Sequence, residues 1–289
     1  MKTNSFFAIT MAMVLCSCTI SVSSEAKEGI KPSKNYITQK VKVDHFEGIS
    51  TSTSIDVVYT QTTGDTSVEI YAPDNLMEYV KVETEGGMLK IGFQSKEKGK
   101  GLNIKGRHET KVYVSAPAIH TLLASSSGDI VLKNGLQHPG KVRIKTSSSG
   151  DIEGGNVACE TLNLEASSAG DIDLGKVECT SLVVEASSAG DISIKDIKAE
   201  TVNAEASSSG DVSLSGVCRS AKFEASSAGD IEADDLKADK VKAEASSSGH
   251  VKCHATESLE ASASSAGNVH YKGNPKQILS KSKGLHKIN

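Results

Sequence analysis

From residue 124 onward, apolar and polar positions alternate in short runs, and the same run returns about every twenty residues. In Leu162-Asn163-Leu164-Glu165-Ala166 every second side chain is apolar. Ile172-Asp173-Leu174 repeats the alternation, and Val177 adds a third apolar point. Period two marks a strand with one buried face, and no stretch carries the 3.6-residue stripe of a helix. Between the runs lies a constant segment: Ser125-Ser126-Ser127-Gly128-Asp129-Ile130 recurs as Ser167-Ser168-Ala169-Gly170-Asp171-Ile172 and in six further copies. The last two substitute His250 and Asn268 for the aspartate. Successive glycines are separated by 22, 20, 20, 20, 19, 20 and 18 residues, which predicts a stacked array. Two or three short strands per repeat, joined by tight turns, describe one coil of a parallel β-helix. Seven steps at the strand spacing give a rod segment of roughly 34 Å. A leucine-rich repeat has a similar period but needs several leucines and a consensus Asn or Cys per unit.

Each constant segment must turn a corner. Glycine reaches φ > 0 without steric cost, so the pattern predicts a glycine at positive φ and an aspartate closing an Asx-type turn. Leu164, Val184, Ala204, Phe223, Ala243 and Leu259 form the predicted inward column before the turn, and Ile172, Ile192, Val212, Ile231, Val251 and Val269 the one after it. Glu165, Glu185, Glu205, Glu224, Glu244 and Glu260 are expected as an outward column, whose mutual repulsion Lys222 and Lys242 relieve in part.

Residues 41–123 lack the serine turns but keep the alternation, as in Ile55-Asp56-Val57-Val58-Tyr59 and Met88-Leu89-Lys90-Ile91. They read as irregular early coils that cap one end, and residues 124–289 as the regular rod with a C-terminal cap. The segment from Lys272 to Asn289 holds five lysines and no acid.

The N-terminus changes the compartment. Lys2, the apolar run Phe6–Leu15 and Leu15-Cys16-Ser17-Cys18 have the form of a secretory leader ending in a sequence that resembles a bacterial lipobox. That resemblance implies cleavage after residue 17 and acylation of Cys18, with residues 18–40 as a flexible tether to a lipid-anchored domain at the outer membrane. Which membrane face it occupies is open at this level. Loss of Lys2 takes the formal charge from −4 to −5, which argues against a nucleic-acid partner. With no Trp and only 4% aromatics, the core is expected to be narrow and built of small residues.

Lys42-Val-Asp-His-Phe-Glu-Gly-Ile49, Ile55-Asp-Val-Val-Tyr59, Glu83-Thr-Glu-Gly-Gly-Met-Leu-Lys-Ile91, Ala116-Pro-Ala-Ile119 and the Ser-Ser-Gly-Asp-Ile segment follow one another in an order that resembles the autotransporter-adhesin head GIN domains, common in Bacteroidetes lipoproteins. The resemblance covers nearly all of the mature chain. It implies a single-stranded right-handed parallel β-helix and a role in adhesion, and it brings no catalytic residues.

The aspartates are the best site candidates. Asp129, Asp151, Asp171, Asp191, Asp211 and Asp230 should lie in one line at strand spacing, where carboxylates repel unless a cation or hydrogen bonds intervene. Six equivalent copies favour a turn role over a single active site, and loosely held Ca²⁺ is compatible with either. No other cofactor is expected. The serines have no Gly-x-Ser-x-Gly elbow and no recurring histidine. His250, His254 and His270 match no strong zinc spacing. Cys159, Cys179 and Cys218 share a small-residue column with Ala199 and Ala238, and Cys253 is expected inward. Cys159 and Cys179, one coil apart, are within reach of a disulfide. These features favour a non-enzymatic envelope lipoprotein that contacts glycan, host or matrix surfaces. A lyase-like polysaccharide-active enzyme on the same scaffold and a purely structural envelope protein are the alternatives. An enzyme should show polar residues that break the repeat symmetry in two or three coils.

Overall fold

A computed structural model describes residues 29–96, 101–280 and 284–288. The leader and Cys18 lie outside these residues. The described chain is all-β; its helical content is one 3₁₀ turn at Met77–Tyr79, and no helix is long and apolar enough to cross a membrane. It is a parallel β-solenoid with coils of about twenty residues.

From residue 141 onward, Lys141–Ser147, Ile152–Ala158 and Thr161–Ser167 lead into the long runs Ile172–Ser187, Ile192–Ser207, Val212–Ser226, Asp230–Ala245 and His250–Ala263. Each run pairs in parallel with the next. The period-two pattern therefore reads out as predicted, with apolar side chains in and polar ones out. Ile172, Ile192, Val212, Ile231, Val251 and Val269 stack as one buried column. In the other column Phe223 sits between Ala204 and Ala243, with Ala221 two residues before it. One large ring between small neighbours keeps the column's volume nearly constant, as a close-packed core requires.

Two predicted assignments shift by two residues at the last coil, which is the shortest. Ala261, not Leu259, follows Ala243, and Ser262, not Glu260, follows Glu244. Leu259 instead continues Val202, Ala221 and Val241. The 19-residue coil is absorbed at Gly216, which stacks on Ile197 with φ +124°; a Cβ there would lie 2.3 Å from the Ile197 nitrogen. Its neighbour Val217 is pushed outward and is 51% exposed.

The N-terminal part is more elaborate than a set of early coils. Its strands are β1 (Tyr36–Val41), β2 (Gly48–Thr51), β3 (Asp56–Gln61), β4 (Ser67–Pro73), β5 (Val80–Glu85), β6 (Met88–Phe93), β7 (Lys111–Ala116), β8 (Thr121–Ser125) and β9 (Ile130–Leu132). β2 and β3 form a coil stacked on β8 and β9 on one side and on β6 and β7 on the other. The layer order thus departs from the chain order. β1, β4 and β7 form an antiparallel patch, and β5 pairs antiparallel with β6. The tether expected over 18–40 is shorter than its sequence implied: Tyr36 onward pairs with β4, and Ile30 already bridges Ile104. The Ser-, Lys- and Glu-rich composition concealed this because β1 is a mostly exposed edge strand with few apolar positions. One apolar core runs without a break from Phe46 to Val269.

Candidate functional site

The constant segments line up along one edge of the rod. In each, the second and third residues hold left-handed backbone, as in Ser188 (φ 53°) and Ala189 (φ 65°). The glycine N–H donates to the carbonyl of the first serine at 2.8–3.1 Å. Positive φ at both central residues with this bond makes a type I′ turn, usually the province of Asn-Gly. The predicted role of the glycine is therefore corrected: it follows the two left-handed residues and does not hold a positive φ itself. Its reason is proximity. A Cβ on Gly190 would meet the Ser167 nitrogen at 2.5 Å and the Ala166 carbonyl carbon at 2.7 Å, both main chain of the coil below.

Ser52-Thr53-Ser54-Ile55-Asp56 supplies an internal control. Thr53 (φ 61°) and Ser54 (φ 58°) repeat the turn, and β2 and β3 stack under β8 and β9, yet Ile55 stands where the others have glycine. Gly128 rests on this segment, where a Cβ would lie 3.0 Å from the Ile55 carbonyl oxygen. Ile55 begins the series of turns, so its side chain is free to be large and is fully buried. The pattern was detectable in the sequence as Ser-Thr-Ser before Ile-Asp-Val, but it lies off the twenty-residue period.

The aspartates do form one line. Asp129 Oδ1 accepts the backbone N–H of Asp151 at 3.0 Å, and the same bond runs from each of Asp151, Asp171, Asp191 and Asp211 to the next coil at 2.9–3.1 Å. It ends with His250 N–H donating to Asp230. The backbone completes the rung, since Ile172 N–H donates to the Asp191 carbonyl at 2.9 Å. The expected Asx closure within one coil is thus replaced by a bond between coils: each carboxylate satisfies a main-chain donor that the turn would otherwise orphan. Asp56 heads the line, with the Asp129 N–H against its carboxylate.

Repulsion along the line is graded by surroundings. Burial first, and Asp129 second, raise the Asp56 pKa above the usual carboxylate range. Burial also raises Asp151 and Asp211, against the offsetting N–H bonds from Asp171 and Asp230. A groove of about 400 Å³ along the first coils is lined by Asp56, Asp129, Asp151 and Asp171 with Lys111 and Glu153. Among the described residues no group of three or more His, Cys, Asp or Glu side chains is arranged to hold a metal ion.

The remaining candidates are dispersed. His254 Nδ1 lies against the Asp234 carbonyl, and His270 stacks on His286 with ring centroids 5.5 Å apart. The column through Cys179, Ala199, Cys218 and Ala238 is as predicted, and the thiols are free. Burial pushes Cys159 up to about 11 and Cys179, Cys218 and Cys253 up to about 12, so none is a ready nucleophile. The glutamate column is relieved more fully than expected. Glu165 pairs with Arg143 and Lys145 at 2.7 Å, and Glu244 with Lys242 at 2.8 Å. Glu205 shares a hydrogen bond with Glu224, which together with burial raises its pKa.

The sequence matches the profile of the family described as "Putative auto-transporter adhesin, head GIN domain" over residues 45–178 and 173–275. The fold is shared with solved proteins. A "putative adhesin" from Parabacteroides distasonis is 20% identical, with a TM-score of 0.68 over 90% of this chain and 100% of that one. A "putative lipid binding protein" from the same organism is 24% identical, with a TM-score of 0.66 over 91% and 100%. A "putative adhesin" from Bacteroides fragilis is 26% identical, with a TM-score of 0.51 over 90% and 100%. No curated protein matches the sequence.

Proposed function

The chain belongs to the head GIN family, and from that premise we propose that it is a non-enzymatic adhesin of the cell envelope, held at the outer membrane by acylated Cys18 and contacting glycan or matrix surfaces. The observation that carries the non-enzymatic reading is the aspartate line. Its carboxylates are equivalent by repeat, and each spends an oxygen on the next coil's main chain, so they are occupied in holding the rod together. A catalytic pair would stand apart from such symmetry. The adhesin reading is supported by the family and by the long polar surface that the solenoid presents.

The test is a glycan-array and polysaccharide-degradation screen on the soluble domain. Binding without turnover is expected. Cleavage of any polysaccharide, lost when Asp171, Asp191 and Asp211 are changed to Asn, would replace the adhesin with a lyase. Lipidation is checked separately by metabolic labelling with a clickable fatty acid, where Cys18→Ser should abolish incorporation.

A further inference from the structure

The regular coils and the C-terminal segment differ in the sign of their charge. Residues 124–260 contain 23 acids against 13 Lys and Arg, whereas residues 261–289 contain five lysines and no acid. The change of sign begins on one face of the last coils. There the outward column runs Arg143, Asn163, Val183, Asn203, Lys222, Lys242, Glu260, Leu279, and the adjacent one Lys141, Thr161, Ser181, Thr201, Ser220, Lys240, Ser258, Gln277. Cations occupy these columns first as Lys141 and Arg143, are absent from the next three coils, and return as three lysines in two adjacent coils. The return places Lys222, Lys240 and Lys242 side by side on one face.

The same residues line a groove of about 320 Å³: Lys222, Lys240 and Lys242, with the hydroxyls of Ser220 and Ser258, the carboxylate of Glu260, and Leu279, which is 66% exposed. Glu224 and Glu244 pair with Lys222 and Lys242 and hold two of the ammonium groups in place, while Lys240 stands among Ser220, Ser258 and Lys242. Cations for point contacts, hydroxyls for hydrogen bonds and an exposed apolar side chain are what an acidic sugar presents surfaces to match. A concave groove seats a linear chain more readily than a flat bilayer. The net acidity of residues 124–260 disfavours a polyanion along the rest of the regular coils.

We propose that the C-terminal coils bind a linear anionic polysaccharide in the groove of Lys222, Lys240 and Lys242. The inference rests on the adhesin reading and names the ligand class and the place.

The test uses the soluble domain, with polygalacturonate and heparin as charged probes, dextran as the neutral one, and vesicles of phosphatidylglycerol in phosphatidylcholine. Binding to at least one charged polymer is expected. It should weaken steeply between 50 mM and 500 mM NaCl and fall about tenfold in K222Q/K240Q/K242Q, which keeps its β circular-dichroism spectrum although losing the Lys222–Glu224 and Lys242–Glu244 pairs lowers its melting temperature slightly. The charge-matched control K133Q/K176Q/K195Q, on other parts of the coils, should bind as the wild type does. Equal loss in the control makes bulk charge the cause and overturns the proposal. So does lysine-dependent binding to vesicles but not to polymer, or lysine-dependent self-association without polymer binding. If only neutral glycans on the array are bound, this inference fails and the adhesin reading stands; if nothing is bound, both fail.

Discussion

Replacing Gly190 with Ala tests the central packing claim with a single methyl group. The added Cβ would lie 2.5 Å from the Ser167 nitrogen, against main chain that has no rotamer to yield. Restoring an ordinary contact of about 3.4 Å requires the two coils to part locally by about 0.9 Å, a fifth of the rung spacing. Two bonds cross that gap: Ile172 N–H to the Asp191 carbonyl at 2.9 Å and Asp191 N–H to Asp171 Oδ1 at 3.0 Å. Both would stretch to nearly 4 Å, outside hydrogen-bonding range. One neutral and one charge-assisted bond together represent about 2–4 kcal/mol, which agrees with the usual cost of overpacking. Urea titration at constant slope should therefore place Gly190→Ala about 3 kcal/mol below wild type. Ser187→Ala at the head of the same turn should cost no more than about 1 kcal/mol. The reasoning is refuted if Gly190→Ala lies within 1 kcal/mol of wild type. A requirement for positive φ would instead penalise the neighbouring residues, where Ser188 and Ala189 already tolerate it.

Ala189→Gly should gain about 0.5–1 kcal/mol, since glycine carries no steric penalty in left-handed backbone; a loss of stability in the same titration would contradict the turn assignment. Asp191→Ala should cost about 1–3 kcal/mol by orphaning the Asp211 N–H, whereas Asp191→Asn should cost far less because its amide oxygen still accepts; equal melting temperatures for the two variants would rule out the bond between coils. The pKa values of Asp56, Asp151 and Asp211 are raised in the folded state, so folding takes up protons there. Their contribution is most favourable below the unfolded value of 3.8 and is lost as pH rises through the folded values. Asp56→Asn/Asp151→Asn/Asp211→Asn should thus be more stable than wild type at pH 7 and lose that advantage toward pH 3, measured by melting curves across pH; an advantage that grows on acidification would reverse the sign.

Most of the rod was legible because its information is local. The alternation in Leu162–Ala166 and the return of Ser-Ser-x-Gly-Asp set the strands, the period and the buried columns. Errors arose where a more apolar residue stood beside the one in register, since Ala261 and not Leu259 lies three residues before its serine turn as Ala243 does, and no repeat unit announces that Ser52–Asp56 is another turn. The glycine was found but its reason was not, because close approach to the coil below is a property of the stack and leaves no mark in one coil. For the same reason the aspartate looked like a turn-closer, although its partner lies twenty residues away. The antiparallel strands β1, β4 and β7 follow from pairing over long separations that alternation alone does not encode. The lysine pair of coils was visible in the sequence, but it became a cluster only when register put Lys222, Lys240 and Lys242 side by side.

The interleaved layer has a consequence for how the chain acquires its shape. Ile49 stacks on Leu89 and Leu122, so β2 is synthesised some 40 and 73 residues before its two neighbours exist. It must wait, and the closure of those long loops comes before any stacking energy is returned. Each later coil finds its template already finished immediately upstream. The topology therefore predicts two kinetic regimes, a slower non-local clasp and a faster zippering of neighbouring coils. Whole coils of the second regime can be added or removed in evolution without disturbing the first, so the length of the rod is free to change while its starting end stays fixed.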